Sequence, residues 1–296
     1  MGFIMKITKI EALEKIANRI RMDIITEVYY AKSGHPGGSL SIADIMAVLY
    51  FNEMNISEDD PNNESRDRLV LSKGHASAAL YATLAEKGYF SKEDLLTFRN
   101  INSNLQGHPD MTKVKGVDMT TGSLGQGLSI ANGMALASKM DSMGYRVYCI
   151  LGDGELDEGQ VWEAAMTSSK YKLDNLCAIV DCNGLQLTGS TDEIKGLNVE
   201  DIEQKFRSFG FNTITINGND IFSILNAFGV ADMTKDKPSV ILAKTVKGKG
   251  ISFMEKDVNW HGKAPNDEEY QKAIDELVER EKEIDSKMVS EAKENK

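Results

Sequence analysis

Residues 147–154 read VYCILGDG and residues 176–184 read LCAIVDCNG, and these two stretches decide the fold. Each begins with a continuous apolar run, Val147–Leu151 or Leu176–Val180, and ends in a polar turn that contains glycine. Residues 159–173, between the two runs, have the apolar spacing of a helix. Because strands without polar alternation are buried on both faces, this strand–helix–strand unit predicts a parallel sheet.

The rest of the chain extends the same pattern. Further elements are predicted helices at 9–32, about 41–54, 199–209 and 220–228, and predicted strands at Arg68–Ser72, Thr213–Ile216 and Val240–Ala243. The alternation predicts a doubly wound α/β fold, with a mostly parallel sheet flanked by helices. In such sheets ligands bind at the carboxyl ends of the strands. We expect one domain over residues 1–266, followed by a charged helical tail over residues 267–296.

The composition excludes several classes of protein. The chain has 296 residues, with 34 basic and 45 acidic side chains and a formal net charge of −11. Its 41% hydrophobic and 27% charged residues are typical of a globular protein and exclude global disorder. No apolar run reaches the roughly 18 residues that a membrane span needs. The acidic balance disfavours nucleic acid as a partner, although a small basic pocket could still hold a phosphate.

Cysteine usage and the N-terminal residues bear on location. The three cysteines, Cys149, Cys177 and Cys182, are odd in number and form no CxxC pair. A disulfide framework is therefore not expected, which suits a reducing compartment. The first residues also lack the apolar core of a signal peptide, so we expect a cytoplasmic protein.

The turn Gly152-Asp153-Gly154 is the first candidate for chemistry. Two glycines let the backbone and the carboxylate both approach a ligand closely. If the next strand is a neighbour, Asn183 at its end reaches the same crevice as Asp153. A carboxylate and an amide oxygen suit Mg²⁺, which takes its remaining ligands from phosphates and water. Asp and Asn are also common turn residues, so the local pattern alone leaves both interpretations open.

A second glycine-rich turn, Thr121–Gly127, precedes a predicted helix at about 128–140. Free backbone N–H groups at a helix N-terminus can bind an anion. The glycine spacing, G-x-x-G-x-G, differs from the dinucleotide-binding fingerprint, and the chain has no Walker P-loop, so neither a dinucleotide nor an ATP site is supported. Tight packing of this turn against the sheet is the equally open alternative.

All four histidines of the chain stand beside a glycine: His35, His75, His108 and His261. Taken together they indicate imidazoles on loops that converge on a ligand, although any one alone is more often structural. Neutral imidazole can hydrogen-bond hydroxyl and carbonyl groups and move protons near pH 7. With a chelated phosphate and a glycine cradle, this predicts a phosphorylated cofactor that acts on a hydroxylated substrate.

The motifs resemble the N-terminal half of transketolases, which are thiamine-diphosphate enzymes. The segments that carry the resemblance run in order along the chain: Ser33–Leu40, Ser72–Ala76, Gly107–Pro109, Thr121–Gly127, Gly152–Asn183 and Trp260–Gly262. The Gly-Asp-Gly…Asn signature is common to thiamine-diphosphate enzymes in general. The sequences Ser-Gly-His-Pro-Gly-Gly and Gly-Ser-Leu-Gly-Gln-Gly are typical of transketolases and their near relatives.

The resemblance implies a cofactor site with two parts. Asp153, Asn183 and the backbone carbonyl of Leu185 would hold Mg²⁺, which binds the diphosphate. The implied cofactor contacts are His75, Gly122, Ser123, Leu124, Gly154, Asn183 and His261. Ser123 departs from a frequent family proline, and its backbone donor role should survive. Cys182 replaces a common aspartate, without a clear consequence.

The resemblance also implies catalytic and interface residues. His35 and His108 would hydrogen-bond the substrate's hydroxyl and carbonyl oxygens, and His261 would lie near both diphosphate and substrate. Glu158 matches a family glutamate at the subunit contact. The implied reaction transfers a two-carbon ketol unit from a ketose phosphate to an aldose phosphate.

The chain resembles only half of a full-length transketolase. The other half carries the pyrimidine-binding domain and most ligands of the substrate phosphate. We therefore predict the N-terminal subunit of a split transketolase, inactive alone and assembled with a C-terminal partner, two copies of each. A role in the pentose phosphate pathway is the default expectation.

Two other functions stay open at this point. The chain could belong to another thiamine-diphosphate enzyme, similar to a 2-oxoacid dehydrogenase alpha subunit or to deoxyxylulose-phosphate synthase. It could also be a non-catalytic relict that only binds. The retained Asp153, Asn183 and histidines argue against a relict.

Overall fold

The computed structural model describes residues 6, 7, 9–196 and 198–294, and its centre is a parallel sheet of five strands. The sheet strands are β1 (Arg68–Leu71), β2 (Val147–Gly152), β3 (Leu176–Cys182), β6 (Asn212–Asn217) and β7 (Ser239–Lys244). A small antiparallel hairpin, β4 (Leu185–Gln186) and β5 (Gly189–Ser190), follows β3. The order across the sheet is β1-β2-β3-β7-β6, and all four neighbouring pairs are parallel.

Helices cover both faces of the sheet. They are α1 (Ile10–Ala31), α2 (Pro36–Leu40), α3 (Ala43–Val48), α4 (Ser77–Lys87), α5 (Gly127–Met140), α6 (Gly159–Lys170), α7 (Thr191–Lys195), α8 (Val199–Ser208), α9 (Ile221–Met233) and α10 (Asp267–Glu294). Alternate residues of β2 face opposite cores. Tyr148 and Ile150 pack with α1, α3, α4 and α9, whereas Cys149 and Leu151 pack with α5, α6 and α8. The predicted doubly wound α/β fold is confirmed.

The predicted strands agree with the observed ones to within two residues at each end. The helix predicted at about 41–54 corresponds to α3 and the π-helical turn Leu49–Glu53 that continues it, whereas the short helix α2 before it was not predicted. Pro36 begins a short helix five residues earlier, as proline favours the first helical position. The Ser41 side chain then donates to the Gly38 carbonyl at 3.0 Å and to Asp181 at 2.7 Å. Such side-chain bonds compete with the helical ladder, and the chain restarts as α3.

The C-terminal helix α10 lies along α1. Ala273 and Leu277 are fully buried, and the Asn18 amide donates to the Leu277 carbonyl at 2.8 Å. Tyr270 stacks on Tyr29 with ring centroids 4.0 Å apart. The helix is thus packed on the main fold, and a domain boundary at residue 266 stays a prediction. Among the helices of the described residues, none is both long and apolar enough to cross a bilayer.

Candidate active site

The candidate site lies at the carboxyl edge of the sheet, where β1, β2, β3 and β7 end side by side. The register pairs Gly152 with Asp181 and Asp181 with Ala243, so the turns after β2, β3 and β7 begin at one level. The residues that follow these strand ends are His75, Asp153, Asn183 and Lys247. The edge predicted from the sequence to bind a ligand is therefore where the candidate residues gather.

Three imidazoles form a triangle at this edge. The ring centroids of His35 and His75 are 5.3 Å apart, those of His35 and His261 are 5.6 Å apart, and those of His75 and His261 are 5.5 Å apart. His108 lies against the glycine-rich turn, since a Cβ at Gly122 would be 2.9 Å from the His108 ring. The predicted convergence of the histidines is therefore observed for the rings of His35, His75 and His261. The ring of His108 contacts Gly122 of the neighbouring glycine-rich turn.

Two glycines in the histidine loops, Gly37 and Gly74, lie where another segment approaches closely. A Cβ at Gly37 would lie 2.8 Å from the Trp260 carbonyl, so the loop of His35 touches the segment of His261. A Cβ at Gly74 would lie 2.7 Å from the Thr121 hydroxyl. Any larger residue at these positions would push the loops apart, and the imidazoles with them.

Burial is the first cause of a lowered pKa at all four imidazoles. The pKa falls to about 4 at His35 and His261 and to about 2 at His75, and it is lowered at His108 as well. Cations beside the rings act in the same direction: Arg99 for His35 and His108, Lys73 for His75, and Lys247 for His261. At pH 7 each ring is therefore neutral, with one N–H donor and one lone pair.

Asp153 joins the turns that follow β2 and β3. Its carboxylate is 3% exposed, and Oδ2 accepts a hydrogen bond from the Gly184 amide at 2.7 Å. Asn183 donates its amide N–H to Asp181 at 2.8 Å, which fixes the orientation of its side-chain oxygen. That oxygen accepts from the Leu185 amide at 3.1 Å. The three predicted metal ligands are thus neighbours in one hydrogen-bonded unit.

The chemistry of these donors fits Mg²⁺. A carboxylate, an amide oxygen and a main-chain carbonyl are the hard oxygen ligands that this ion prefers. Burial first, and then the charge of Asp181, raises the pKa of Asp153 to about 6, so a positive charge beside Asp153 would be strongly favourable. The Lys247 ammonium lies 3.1 Å from the Leu185 carbonyl, so this oxygen already faces a cation. Within the described part of the chain, no group of three His, Cys, Asp or Glu side chains offers a competing metal site.

Two orphaned oxygens indicate where a polar cofactor would lie. Thr121 Oγ1 and Gln186 Oε1 are buried without a hydrogen-bond partner among the described residues. Thr121 precedes the predicted cradle, and Gln186 borders Gly154, where a Cβ would lie 2.9 Å from the Gln186 side chain. Buried polar atoms are normally paired, so these two are satisfied best by a bound group.

Glu155, which sequence reasoning missed, ties the glycine-rich turn to the strand ends. Its carboxylate is 3% exposed and accepts from the Gly125 amide at 2.9 Å, the Gly152 amide at 3.0 Å and the Ser72 hydroxyl. Its position directly after the Gly152-Asp153-Gly154 turn is the sequence feature from which Glu155 could have been identified. Beyond Glu155 the turn opens outward, with Ser123 exposed and Leu124 38% exposed.

Sequence reasoning also missed three charged residues of the site. Lys73 and Asp181 form an ion pair of 2.6 Å, with side chains 2% and 0% exposed. Burial alone would raise the pKa of Asp181, but the Lys73 ammonium and other donors hold it below its usual range. Lys247 Nζ lies 2.8 Å from His261 Nδ1. Lys73 could have been found from its place next to Gly74-His75, whereas nothing local marks Lys247.

Glu158 lies at the start of α6, with its side chain exposed to solvent. Its Cβ is so close to the glycine-rich turn that a Cβ at Gly125 would approach it to 2.6 Å. The predicted subunit-contact residue is therefore on the rim of the site.

Comparison with known proteins agrees with this geometry. A family described as "Transketolase, thiamine diphosphate binding domain" matches residues 12–288. The chain is 42% identical over 272 residues to one of the subunits of apulose-4-phosphate transketolase from Phocaeicola vulgatus, covering 92% of this chain and 96% of that protein. It is 47% identical over 265 residues to the SqwG subunit of 6-deoxy-6-sulfo-D-fructose transketolase from a Clostridium species, covering 90% and 96%.

The fold has a close counterpart among solved structures. The structure of transketolase from Campylobacter jejuni superimposes with a TM-score of 0.86 at 36% identity. The alignment covers 92% of this chain and 43% of that one, so the chain spans less than half the length of this relative.

Proposed function

The chain belongs to the transketolase family, and from this premise we propose that it is the N-terminal, cofactor-binding subunit of a two-subunit transketolase. The observation that carries the proposal is the pairing of an oxygen-ligand site, Asp153 with Asn183 and Leu185, with a triangle of neutral imidazoles at one sheet edge. The first part suits a metal-chelated diphosphate, and the second suits a polyhydroxylated substrate.

The share of each relative that the match covers supports the proposal of a split enzyme. The two relatives that are themselves subunits are covered over 96% of their own lengths, whereas the solved transketolase is covered over only 43%. We propose that a second polypeptide supplies the pyrimidine-binding domain, and that the complex contains two copies of each chain. The exposed Glu158, on the rim of the site, is the residue we propose to contact that partner.

We propose two sets of ligands for the cofactor. Asp153, Asn183 and the Leu185 carbonyl would hold Mg²⁺. The residues that would contact thiamine diphosphate are His75, Gly122, Ser123, Leu124, Gly154, Asn183 and His261. When bound, thiamine diphosphate supplies the electron sink that carbon–carbon bond cleavage in a ketose requires.

His35, His108 and His261 would act on the substrate. Because their rings are neutral, each can donate an N–H to an oxygen whose negative charge grows as a carbonyl is attacked. A neutral imidazole can also accept a hydroxyl proton where its lone pair is free. Nδ1 of His35 faces Arg99 and Nδ1 of His261 faces Lys247, however, so these two rings act as donors. At His35 and His261, which are half-buried, the lower local dielectric strengthens these bonds, whereas His108 is exposed. The proposed reaction transfers a two-carbon ketol unit from a ketose phosphate to an aldose phosphate.

The proposal also covers the location of the protein, its substrates and its domain bounds. We propose a cytoplasmic location, which the three free, buried cysteines support. We propose sugar phosphates as substrates, with the pentose phosphate pathway as the default setting. Residues 1–266 would form the cofactor-binding domain, with the tail after it as a separate segment.

Cofactor binding is tested on the full chain by calorimetric titration with thiamine diphosphate and Mg²⁺. Asp153→Ala should abolish Mg²⁺-dependent binding. The matched control is Asp174→Ala, because Asp174 precedes β3 at the opposite edge of the sheet, where it pairs with Lys139. Equal binding by both variants would refute the assigned metal site. If the parent chain binds only after a partner is added, the titration is repeated on the complex.

Activity is tested on the complex. The tagged chain is used to isolate an equimolar partner in the presence of Mg²⁺ and thiamine diphosphate, and the purified pair is assayed with ketose phosphates and with 2-oxoacids. Ketol transfer by the pair, but not by either chain alone, is the expected result. Turnover of 2-oxoacids instead would assign another thiamine-diphosphate reaction, and robust transfer by this chain alone would refute its dependence on a partner.

A further inference from the structure

Arg99 is a charged residue of the site for which the proposed function has no role. It follows the turn Lys92–Thr97 with a positive φ of 59°, and its amide donates to the Leu105 carbonyl at 2.7 Å. This conformation directs its half-buried guanidinium onto Gly107, where a Cβ would lie 2.8 Å from Cζ. A positive φ is uncommon for a residue other than glycine, and here it fixes the direction in which the side chain leaves the backbone.

The guanidinium joins two parts of the loop that carries the first imidazole. Nη1 donates to the Ser33 hydroxyl at 2.9 Å, and Nη2 lies 3.3 Å from Nδ1 of His35. A guanidinium has only N–H donors and keeps its proton at any pH near neutrality. Nδ1 of His35 must therefore accept this bond, which places the proton of the neutral ring on Nε2.

The other ring nitrogen faces the shared space. His35 lies edge-on to His75 and His261, and its Nε2 would be 3.9 Å from a Cβ at Gly262. We propose that Arg99 is a positioning residue, which holds His35 in the Nε2–H tautomer so that the ring presents a donor to a substrate oxygen. Arg99 itself contacts Nδ1, the nitrogen on the other side of the ring from Nε2. This inference rests on the proposed function for its consequence, but the tautomer can be measured without any activity.

The charge of Arg99 has a second effect on the same ring. Among the groups that face His35 from neighbouring segments, Arg99, His108 and Lys247 all make the imidazolium less favourable. Burial has the larger effect, and together they lower the pKa of His35 to about 4. The neighbours His75 and His261 are neutral at pH 7 and do not oppose this. Arg99 thus disfavours the Nδ1–H tautomer and contributes, after burial, to disfavouring the imidazolium.

The tautomer is read by ¹⁵N NMR of the full chain labelled at histidine. With four histidines, single His→Gln variants assign every signal. The parent should show a pyridine-type Nδ1 and a pyrrole-type Nε2 for His35. Arg99→Met should give averaged shifts from mixed tautomers and an upward shift of the titration midpoint from about 4. Arg99→Glu supplies an acceptor and should invert the tautomer. Arg207→Met, which removes an exposed arginine on α8, should change nothing.

The tautomer measurements test the role of Arg99, and the activity measurement tests the proposed function. An Nδ1–H tautomer in the parent, or a parent-like tautomer in folded Arg99→Glu, overturns the inference. Should Arg99→Met fail to fold by circular dichroism, Arg99→Gln offers both a donor and an acceptor to Nδ1 and should admit the second tautomer. In the assembled enzyme, Arg99→Glu should lower kcat/KM for ketol transfer on the order of 10²-fold, as loss of one aligned donor does. The acid limb of the pH profile should also move to higher pH. If the parent has no ketol-transfer activity, the proposed function fails and the tautomer result stands alone.

Discussion

Replacing Asp181 with alanine tests whether the buried ion pair holds the site together. Asp181 is fully buried and its Oδ2 accepts from Lys73 at 2.6 Å, Ser41 at 2.7 Å and Asn183 at 2.8 Å. In Asp181→Ala the Lys73 ammonium, 2% exposed, would keep only the Gly38 carbonyl as an acceptor. Leaving one charge of a buried pair uncompensated costs about 3–5 kcal/mol.

The magnitude translates into a measurable shift in melting temperature. With an unfolding entropy of about 2.1 cal/mol/K per residue, a loss of this size lowers Tm by about 5–8 °C in a chain of 296 residues. Urea unfolding followed by circular dichroism gives the free energy directly. The control is Glu279→Ala on α10, which breaks a pair with Lys282 whose side chains are 66% and 68% exposed. Such pairs contribute less than about 1 kcal/mol.

A loss from Asp181→Ala no larger than that of Glu279→Ala would refute the reasoning. The double variant Asp181→Leu with Lys73→Met should be less destabilised than the sum of the two single variants, because no charge is left unpaired. Additive losses would show that the pair is not coupled. Asp181→Ala should also weaken binding of Mg²⁺ and thiamine diphosphate, because it removes the acceptor that orients the Asn183 amide.

Three further predictions follow from other parts of the structure. Glu27 is fully buried without a partner among the described residues, and burial followed by the charge of Asp23 raises its pKa well above the ordinary value. Its native state therefore binds a proton that the unfolded chain releases, so stability falls as pH rises above about 4.5. Glu27→Gln should be increasingly more stable than the parent from pH 5 to 8 by urea unfolding; a constant difference would contradict this. Lys195 donates to the Asp153 carbonyl at 2.5 Å, so Lys195→Met should speed hydrogen exchange in the β4–β5 hairpin, and Lys244→Met, which breaks an exposed pair, should not. Gly127→Ala would place a Cβ 2.3 Å from the Ser72 side chain; we expect a loss of about 1–3 kcal/mol, and a parent-like Tm would disprove this contact.

The parts of the fold that the sequence predicted are those set by local pattern. The apolar runs Val147–Leu151 and Leu176–Val180 lie where the structure has β2 and β3, because burial on both faces leaves no room for polar residues. The break between α2 and α3 was not predicted. It depends on Ser41 bonding to Asp181, 140 residues away, and no window of sequence contains that bond.

The candidate site also has features that the local sequence shows and contacts that it does not show. Glycines beside the histidines were visible in sequence because loops that approach closely need small residues on both sides. Arg99, the cation beside His35, was not visible, because 64 residues separate the two in the chain. The pairing of Lys73 with Asp181 was hidden for the same reason, since 108 residues separate them.

The net charge of the chain says little about this site, because most charged side chains lie far from the imidazoles. The chain carries −11 overall, yet Lys73, Lys247 and Arg99 stand beside its imidazoles. Exposed acids more than about 8–10 Å away are screened by salt, whereas buried cations a few ångströms away act at low dielectric. At the sheet edge these cations face the buried carboxylates of Asp153, Glu155 and Asp181, so the local charge is balanced and not acidic. Together with burial, the same cations keep the imidazoles neutral and so preserve the donors that the proposed ketol transfer needs.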